Sequence, residues 1–224
     1  MALFDETLSD DQQATVVKNW WKENGLYLAG GLIIGVGGLF GWQAWQANNT
    51  RVAQEASNAF QEMTEATAQQ RYNKADELHA LIVSDYSGTP YAGSAELTLA
   101  ASLIKRNEAD AAADVLRRLS KDSNDAGIRN IATLRLGRVL LQLEDYAAAA
   151  QVAAYSKDDA FTAEFADLRG DIAYAQGNEA AARTAYEQAL DAAGPSFAQA
   201  GYVRVKLDAL AVIEPSVLEP ASTE

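Results

Sequence analysis

Residues 168–190 read LRGDIAYAQGNEAAARTAYEQAL. Small and apolar residues return every three or four positions on both sides of Gly177-Asn178. That is the pattern of two amphipathic helices joined by a tight turn. Gly170 falls where the first helix meets the second closely, and Ala182, Tyr186 and Ala189 follow on the second helix. Short side chains at such points let helix axes approach to about 8–10 Å.

The unit recurs toward the N-terminus. Ala75, Ala112, Ala149 and Ala182 lie in the middle of successive second helices, at spacings of 37, 37 and 33 residues. The preceding unit carries Leu136-Gly137, then Tyr146, Ala149 and Ala153. The two earlier units place Ala100 and Met63 at the glycine position. These residues are similar to the tetratricopeptide pattern at its small positions, without the aromatic residue that starts the first helix. Breakers stand between the periodic stretches at Ser87-Gly88-Thr89-Pro90, Arg106-Asn107-Glu108, Asp122-Ser123-Asn124-Asp125, Glu144-Asp145, Lys157-Asp158-Asp159 and Gly194-Pro195. They divide the region into helices over 51–69, 72–84, 91–105, 108–120, 127–143, 146–155, 161–176, 179–192 and 196–212. The expected fold is all-α: four helix pairs and a capping helix in a right-handed solenoid over 51–213. The last helix is expected to seal the stack with Phe197, Tyr202, Val205 and Leu207. Residues 214–224, EPSVLEPASTE, read as a frayed tail.

Upstream of the repeats, residues 25–45 read GLYLAGGLIIGVGGLFGWQAW, and no charged side chain occurs from Asn24 to Thr50. At ~1.5 Å per residue this stretch spans roughly 30 Å as a helix, one hydrocarbon thickness. Trp20 and Trp21 precede it, and Trp42 and Trp45 end it, as aromatic residues do at the two headgroup levels. The sequence therefore predicts one transmembrane helix over 25–45. Gly31 and Gly35 are four residues apart, as are Gly37 and Gly41, a spacing that permits close packing on another membrane helix. The tail, residues 1–24, holds five acidic and two basic residues. Ser9 with Gln12 resembles a capping box, and Val16, Val17, Trp20 and Trp21 fall on one face of a short amphipathic helix leading into the span. Lys18 and Lys22 before the span against Arg51 after it place the tail in the cytoplasm by two charges to one.

Net charge is −13, which disfavours nucleic acid as a partner. Without cysteine the chain forms neither disulfides nor thiolate metal sites. The one histidine, His79, makes a poor metal site by itself. No serine stands in a G-x-S-x-G elbow, and no glycine loop leads to Lys-Ser or Lys-Thr. The acidic pairs are explained as helix caps and solvated faces. The reading is of a protein that is not an enzyme, with no cofactor, metal or small-molecule substrate.

The chain resembles the YfgM family, the ancillary subunit of the bacterial SecYEG translocon. The resemblance rests on 17–25, VKNWWKENG, on the glycine-rich span ending Gly41-Trp42-Gln43-Ala44-Trp45, and on Ala166-Asp167-Leu168-Arg169-Gly170-Asp171. It implies an inner-membrane protein with its domain in the periplasm, associated with the translocon and with the membrane-anchored periplasmic chaperone PpiD. It implies no catalytic residue.

What remains is a binding surface. Aligning Ala100, Gly137 and Gly170 puts Leu97, Ile104, Lys105, Leu134, Arg138, Leu141, Asp171 and Tyr174 on the wall of a concave groove, a setting suited to an extended or helical peptide. The function expected is an adaptor that holds a chaperone near emerging chains. Two alternatives stay open: a holdase that binds unfolded clients itself, and a stress regulator that sequesters a signalling partner.

Overall fold

A computed structural model of the chain describes residues 10–154, 159–193 and 197–212. Ser9, Lys157-Asp158, Gly194-Pro195 and 214–224, all given roles above, lie outside them. Among the described residues there are nine α-helices and no strand. The helices are α1 (Asp10–Ala68), α2 (Tyr72–Asp85), α3 (Pro90–Lys105), α4 (Ala109–Asp122), α5 (Ala126–Gln142), α6 (Tyr146–Ala153), α7 (Thr162–Ala175), α8 (Glu179–Asp191) and α9 (Ala200–Val212). A short 3-10 turn over Asp159–Phe161 leads into α7.

The chain divides into two compact units between Glu55 and Ala56. In the first, α1 runs from Asp10 through the apolar span without a break. A separate helix starting at residue 51 was expected, and the structure corrects this. Nothing between Gly41 and Ala68 stops a helix: there is no proline or glycine, and Thr50 Oγ1 donates to Gln46 O at 3.0 Å. Arg51 pairs with Glu55 at 2.7 Å one turn on. Leu26, Leu32, Ile33, Ile34, Leu39 and Phe40 are all exposed. A Cβ added at Gly31, Gly35, Gly37 or Gly41 would meet no atom within 4 Å. The helix is long and apolar enough to cross a membrane.

In the second unit the end of α1 and α2 form the first helix pair, followed by α3–α4, α5–α6 and α7–α8, with α9 packed on α8. The four alanines that define the repeat, Ala75, Ala112, Ala149 and Ala182, are all buried. The turn inside each pair is the same. Gln70, Asn107, Glu144 and Gly177, each five residues before one of those alanines, take left-handed φ values of 58°, 61°, 60° and 75°. The following N–H, of Arg71, Glu108, Asp145 and Asn178, donates to the carbonyl five residues back, at 2.8, 2.9, 3.0 and 2.9 Å. This is the Schellman closure that satisfies the carbonyls at a helix end. The next helix then begins at once. Asp145 and Asn178 accept from Ala148 N–H and Ala181 N–H, each at 3.1 Å, and Asp125 caps α5 by accepting from Ile128 N–H at 2.9 Å.

The core runs along the stack in three clusters. One joins α1, α2 and α3 through Met63, Leu78 and Ile82. The largest spans α3 to α7 and includes Leu116, Leu136 and Phe165. The last joins α7, α8 and α9 through Tyr186, Val203 and Leu210. The face of α9 differs from expectation. The helix starts at Ala200, not 196; Phe197 is buried before it, while Tyr202 and Val205 are exposed. Val203, Lys206, Leu207 and Leu210 face the stack instead. The physical reason is the carboxylate pair described next, which fixes the side of α9 that turns inward.

Candidate functional site

The wall of the stack is built from α3, α5 and α7, the first helices of their pairs, and α5 touches both of the others. Their common register is set by Ala100, Gly137 and Gly170. A Cβ on Gly137 would come within 2.5 Å of Leu168 Cδ2, and one on Gly170 would fall into the Tyr186 ring. Backbone approach at these points fixes what every other position on the three helices faces.

Three residues before the small residue stand Leu97, Leu134 and Asp167. Leu97 and Leu134, placed on the groove wall by sequence, are 6% and 5% exposed and belong to the core. This is a correction with a simple cause: residues i and i−3 share a helix face, so a position one turn before the tight contact also points at the neighbouring helix. One turn after the small residue, Ile104 and Leu141 are partly buried against the same core. Tyr174, the matching residue of α7, is 52% exposed. Lys105 and Arg138 are exposed, and Asp171 is half-buried.

Asp167 sits at a position that holds leucine in the two preceding units, and it is buried. A buried carboxylate needs a partner. Lys206 of α9 supplies it, with Nζ 2.7 Å from Asp167 Oδ1 and 2.6 Å from Asp171 Oδ1. The Tyr186 hydroxyl donates to Asp171 Oδ1 at 2.8 Å. The Lys206 ammonium also lies 5.4 Å from the Tyr186 ring centre and 5.2 Å from that of Tyr202. Arg138 reaches Asp167 Oδ2 only at 4.0 Å. Burial pushes the Asp167 carboxyl above its ordinary value, and the Asp171 charge adds to this, against the pull of Lys206 and Arg138. Burial alone would lower Lys206, but hydrogen bonds to Asp167 and Asp171 outweigh it and the ammonium titrates above a free lysine. Burial, then the bond to Asp171, pushes the Tyr186 phenol up, so it stays a donor. The sequence did not point to this network, because its members lie 35 and 39 residues apart.

Between α3 and α5 lies an open pocket of 410 Å³. It brings together three of the sequence-predicted wall residues, Ile104, Lys105 and Arg138. It adds Arg135, whose guanidinium donates to Leu97 O at 3.2 Å. Arg135 and Arg138 are three apart on one helix, the spacing that could have signalled a shared face. His79 lies elsewhere, between α2 and α3, with Nε2 3.5 Å from Glu96 Oε2. Burial raises the Glu96 carboxyl, but His79 and then Arg118 more than offset it, so it titrates below its ordinary value. The imidazole of α2 thus faces the Glu96 carboxylate of α3.

Residues 18–212 match a family described as a tetratricopeptide repeat-like domain. The chain is similar to the ancillary SecYEG translocon subunit of Escherichia coli, with 33% identity over 80% of this chain and 86% of that one. It is 31% identical to the protein of that name from Haemophilus influenzae, over 82% of this chain and 89% of the relative. The relative of that name from Neisseria gonorrhoeae is 29% identical over 91% and 98%. No solved structure matches the chain. With the repeat stack, the apolar helix and this likeness along most of its length, the chain belongs to the family of ancillary SecYEG translocon subunits.

Proposed function

We propose that the chain is a non-enzymatic adaptor of the Sec translocon, single-pass in the inner membrane through residues 25–45. The tail, 1–24, lies in the cytoplasm, and the repeat domain, 51–213, stands in the periplasm, where it positions a membrane-anchored chaperone of the PpiD kind for newly translocated proteins. The observation that carries this reading is the 33% identity to a translocon subunit over 86% of that subunit's length. The balance of Lys18 and Lys22 against Arg51 supports the orientation. Confining both partners to the membrane plane raises their effective concentration, so weak contacts suffice.

An adaptor is favoured over a holdase by the surface of the domain. Among the described residues beyond the apolar span, the exposed large hydrophobic side chains are Leu81, Leu143, Tyr174, Tyr202 and Val205. A holdase calls for a broad apolar patch. Five residues spread over three helices and the turn after α5 are few for that.

The test is photocrosslinking from the groove of the full-length chain in native membranes. Probes placed beside Arg138 and Tyr174 are expected to capture a translocon subunit or a membrane-anchored chaperone, and replacing both residues by alanine is expected to cut the yield by about fivefold or more. Unchanged yield would remove the groove from the mechanism. Reporter fusions at Glu224, one active only in the cytosol and one only outside it, test the orientation. The span makes its own contribution in this reading. Replacing Gly31 and Gly35 by leucine fills the small-residue face and is expected to reduce co-purifying translocon by about tenfold. Full recovery of the translocon with that variant would show that the glycines serve no contact.

A further inference from the structure

The pocket between α3 and α5 has the wrong sign for this protein. The chain carries 31 acidic and 18 basic residues. Yet the pocket's rim holds Lys105, Arg135 and Arg138, and no carboxylate lines it. Its floor is apolar, made by Ile104, Leu116 and Val139 with Ala100. Arg138 has only a loose tie to Asp167, at 4.0 Å from Oδ2, while Lys206 holds Oδ1 at 2.7 Å. Arg135 is exposed and uses one N–H on the Leu97 carbonyl. Its guanidinium has five N–H groups in a fixed fork, so donors remain for an incoming carboxylate.

We infer that this pocket binds an acidic peptide segment of the partner, in which Asp or Glu side chains alternate with apolar ones. The carboxylates meet the three cations, and the apolar side chains enter the floor between them. The sign of the rim selects the partner as much as it holds it, since a basic or neutral segment of equal hydrophobicity would leave the cations unpaired. A positive island on an acidic protein also concentrates the field at one place, so it speeds and orients encounter with an acidic chain. The charge of the whole chain opposes any polyanion beyond about a Debye length, so the island suits a short acidic segment that meets it alone better than an extended nucleic acid. This inference rests on the reading of the domain as a peptide-binding adaptor and names the chemistry of what it binds.

The experiment uses the full-length chain in nanodiscs of zwitterionic lipid, with empty discs as the blank. Two rhodamine-labelled synthetic peptides of equal length and leucine content are titrated, one with glutamates between the leucines and one with lysines. The acidic peptide is expected to bind about tenfold or more tighter than the basic one. Its affinity is expected to fall as salt rises from about 50 to about 300 mM, as screened charge contacts do. Lys105→Gln with Arg138→Gln is expected to erase the preference while leaving the helical circular dichroism and melting profile intact. Equal binding of the two peptides, tighter binding of the basic one, no detectable binding of the acidic one, or a preference unchanged in the double variant would each overturn the inference. The outcomes separate it from the adaptor reading: groove crosslinks without charge preference retain the adaptor and discard the acidic segment.

Discussion

Replacing Gly170 by alanine is expected to destabilise the repeat domain by about 2–3 kcal/mol, against the usual sign for a glycine-to-alanine change inside a helix. The added Cβ would fall into the Tyr186 ring. The ring has no easy retreat, because its hydroxyl is tied to Asp171 at 2.8 Å and its face lies under the Lys206 ammonium. Moving it would break both contacts and push α8 off α7. Two other glycines calibrate the effect. At Gly137 the obstruction is a methyl of Leu168, which is fully buried but not tied by a hydrogen bond, so alanine there is expected to cost about 1–2 kcal/mol, less than at Gly170. At Gly201 there is nothing within 4 Å, and alanine is expected to stabilise by a few tenths to about 1 kcal/mol. Thermal or urea unfolding of the detergent-solubilised chain, followed by circular dichroism, gives all three. A Gly170→Ala protein as stable as the parent would mean that α7 and α8 are less closely apposed than described.

Lys206→Met is expected to cost about 2–4 kcal/mol at neutral pH. Methionine keeps most of the stem and removes the ammonium. Asp167 and Asp171 would then face one another, with Asp167 buried and Arg138 4.0 Å away as its remaining cation. The sign with pH follows. Asp167 already titrates above its ordinary value, so its contribution is most favourable below the carboxylate range and is lost as pH rises through its raised pKa. Without Lys206 this trend steepens: the variant's deficit should shrink on acidification and be largest above neutrality. In the parent, the raised pKa of Lys206 gives stability that is full below the ordinary lysine value and is lost only as pH climbs through the raised one. Adding Asp167→Asn to Lys206→Met is expected to recover half or more of the loss. A deficit that does not change from about pH 4 to about pH 8, or no recovery in the double variant, would show that the pair acts as a surface contact.

The architecture was legible because it rests on local periodicity. Four alanines at spacings of 37, 37 and 33 sufficed to find the pairs, and uncharged length sufficed to find the span. The turns carry the same spacing but hid it, since Gln70, Asn107 and Glu144 do not announce a left-handed conformation as Gly177 does. The groove was half legible. Register placed Lys105, Arg138 and Tyr174 on an exposed wall, yet the same register applied one turn earlier selected Leu97 and Leu134, which the neighbouring helix covers. Hydrophobicity could have separated the two sets, because charged and core residues rarely exchange places. Asp167 defeats that rule as well: it occupies the core position and depends on a lysine 39 residues away. Periodicity along one helix carries no information about such a pairing.

The second helices are unequal in length: α2 and α4 have 14 residues each and α8 has 13, but α6 has only eight. Its buried side chains are Ala149 and Ala153, each worth little more than one methyl group of transfer energy. In a linear array each layer is held by its neighbours, so the thinnest layer opens at the least free energy. The lowest rung on this ladder lies in the middle of the stack, where ends normally fray first. Amide protons of α6 would therefore exchange ahead of those in α4 and α8, through excursions that bare the Leu136–Leu140 flank of α5 while the rest stays folded.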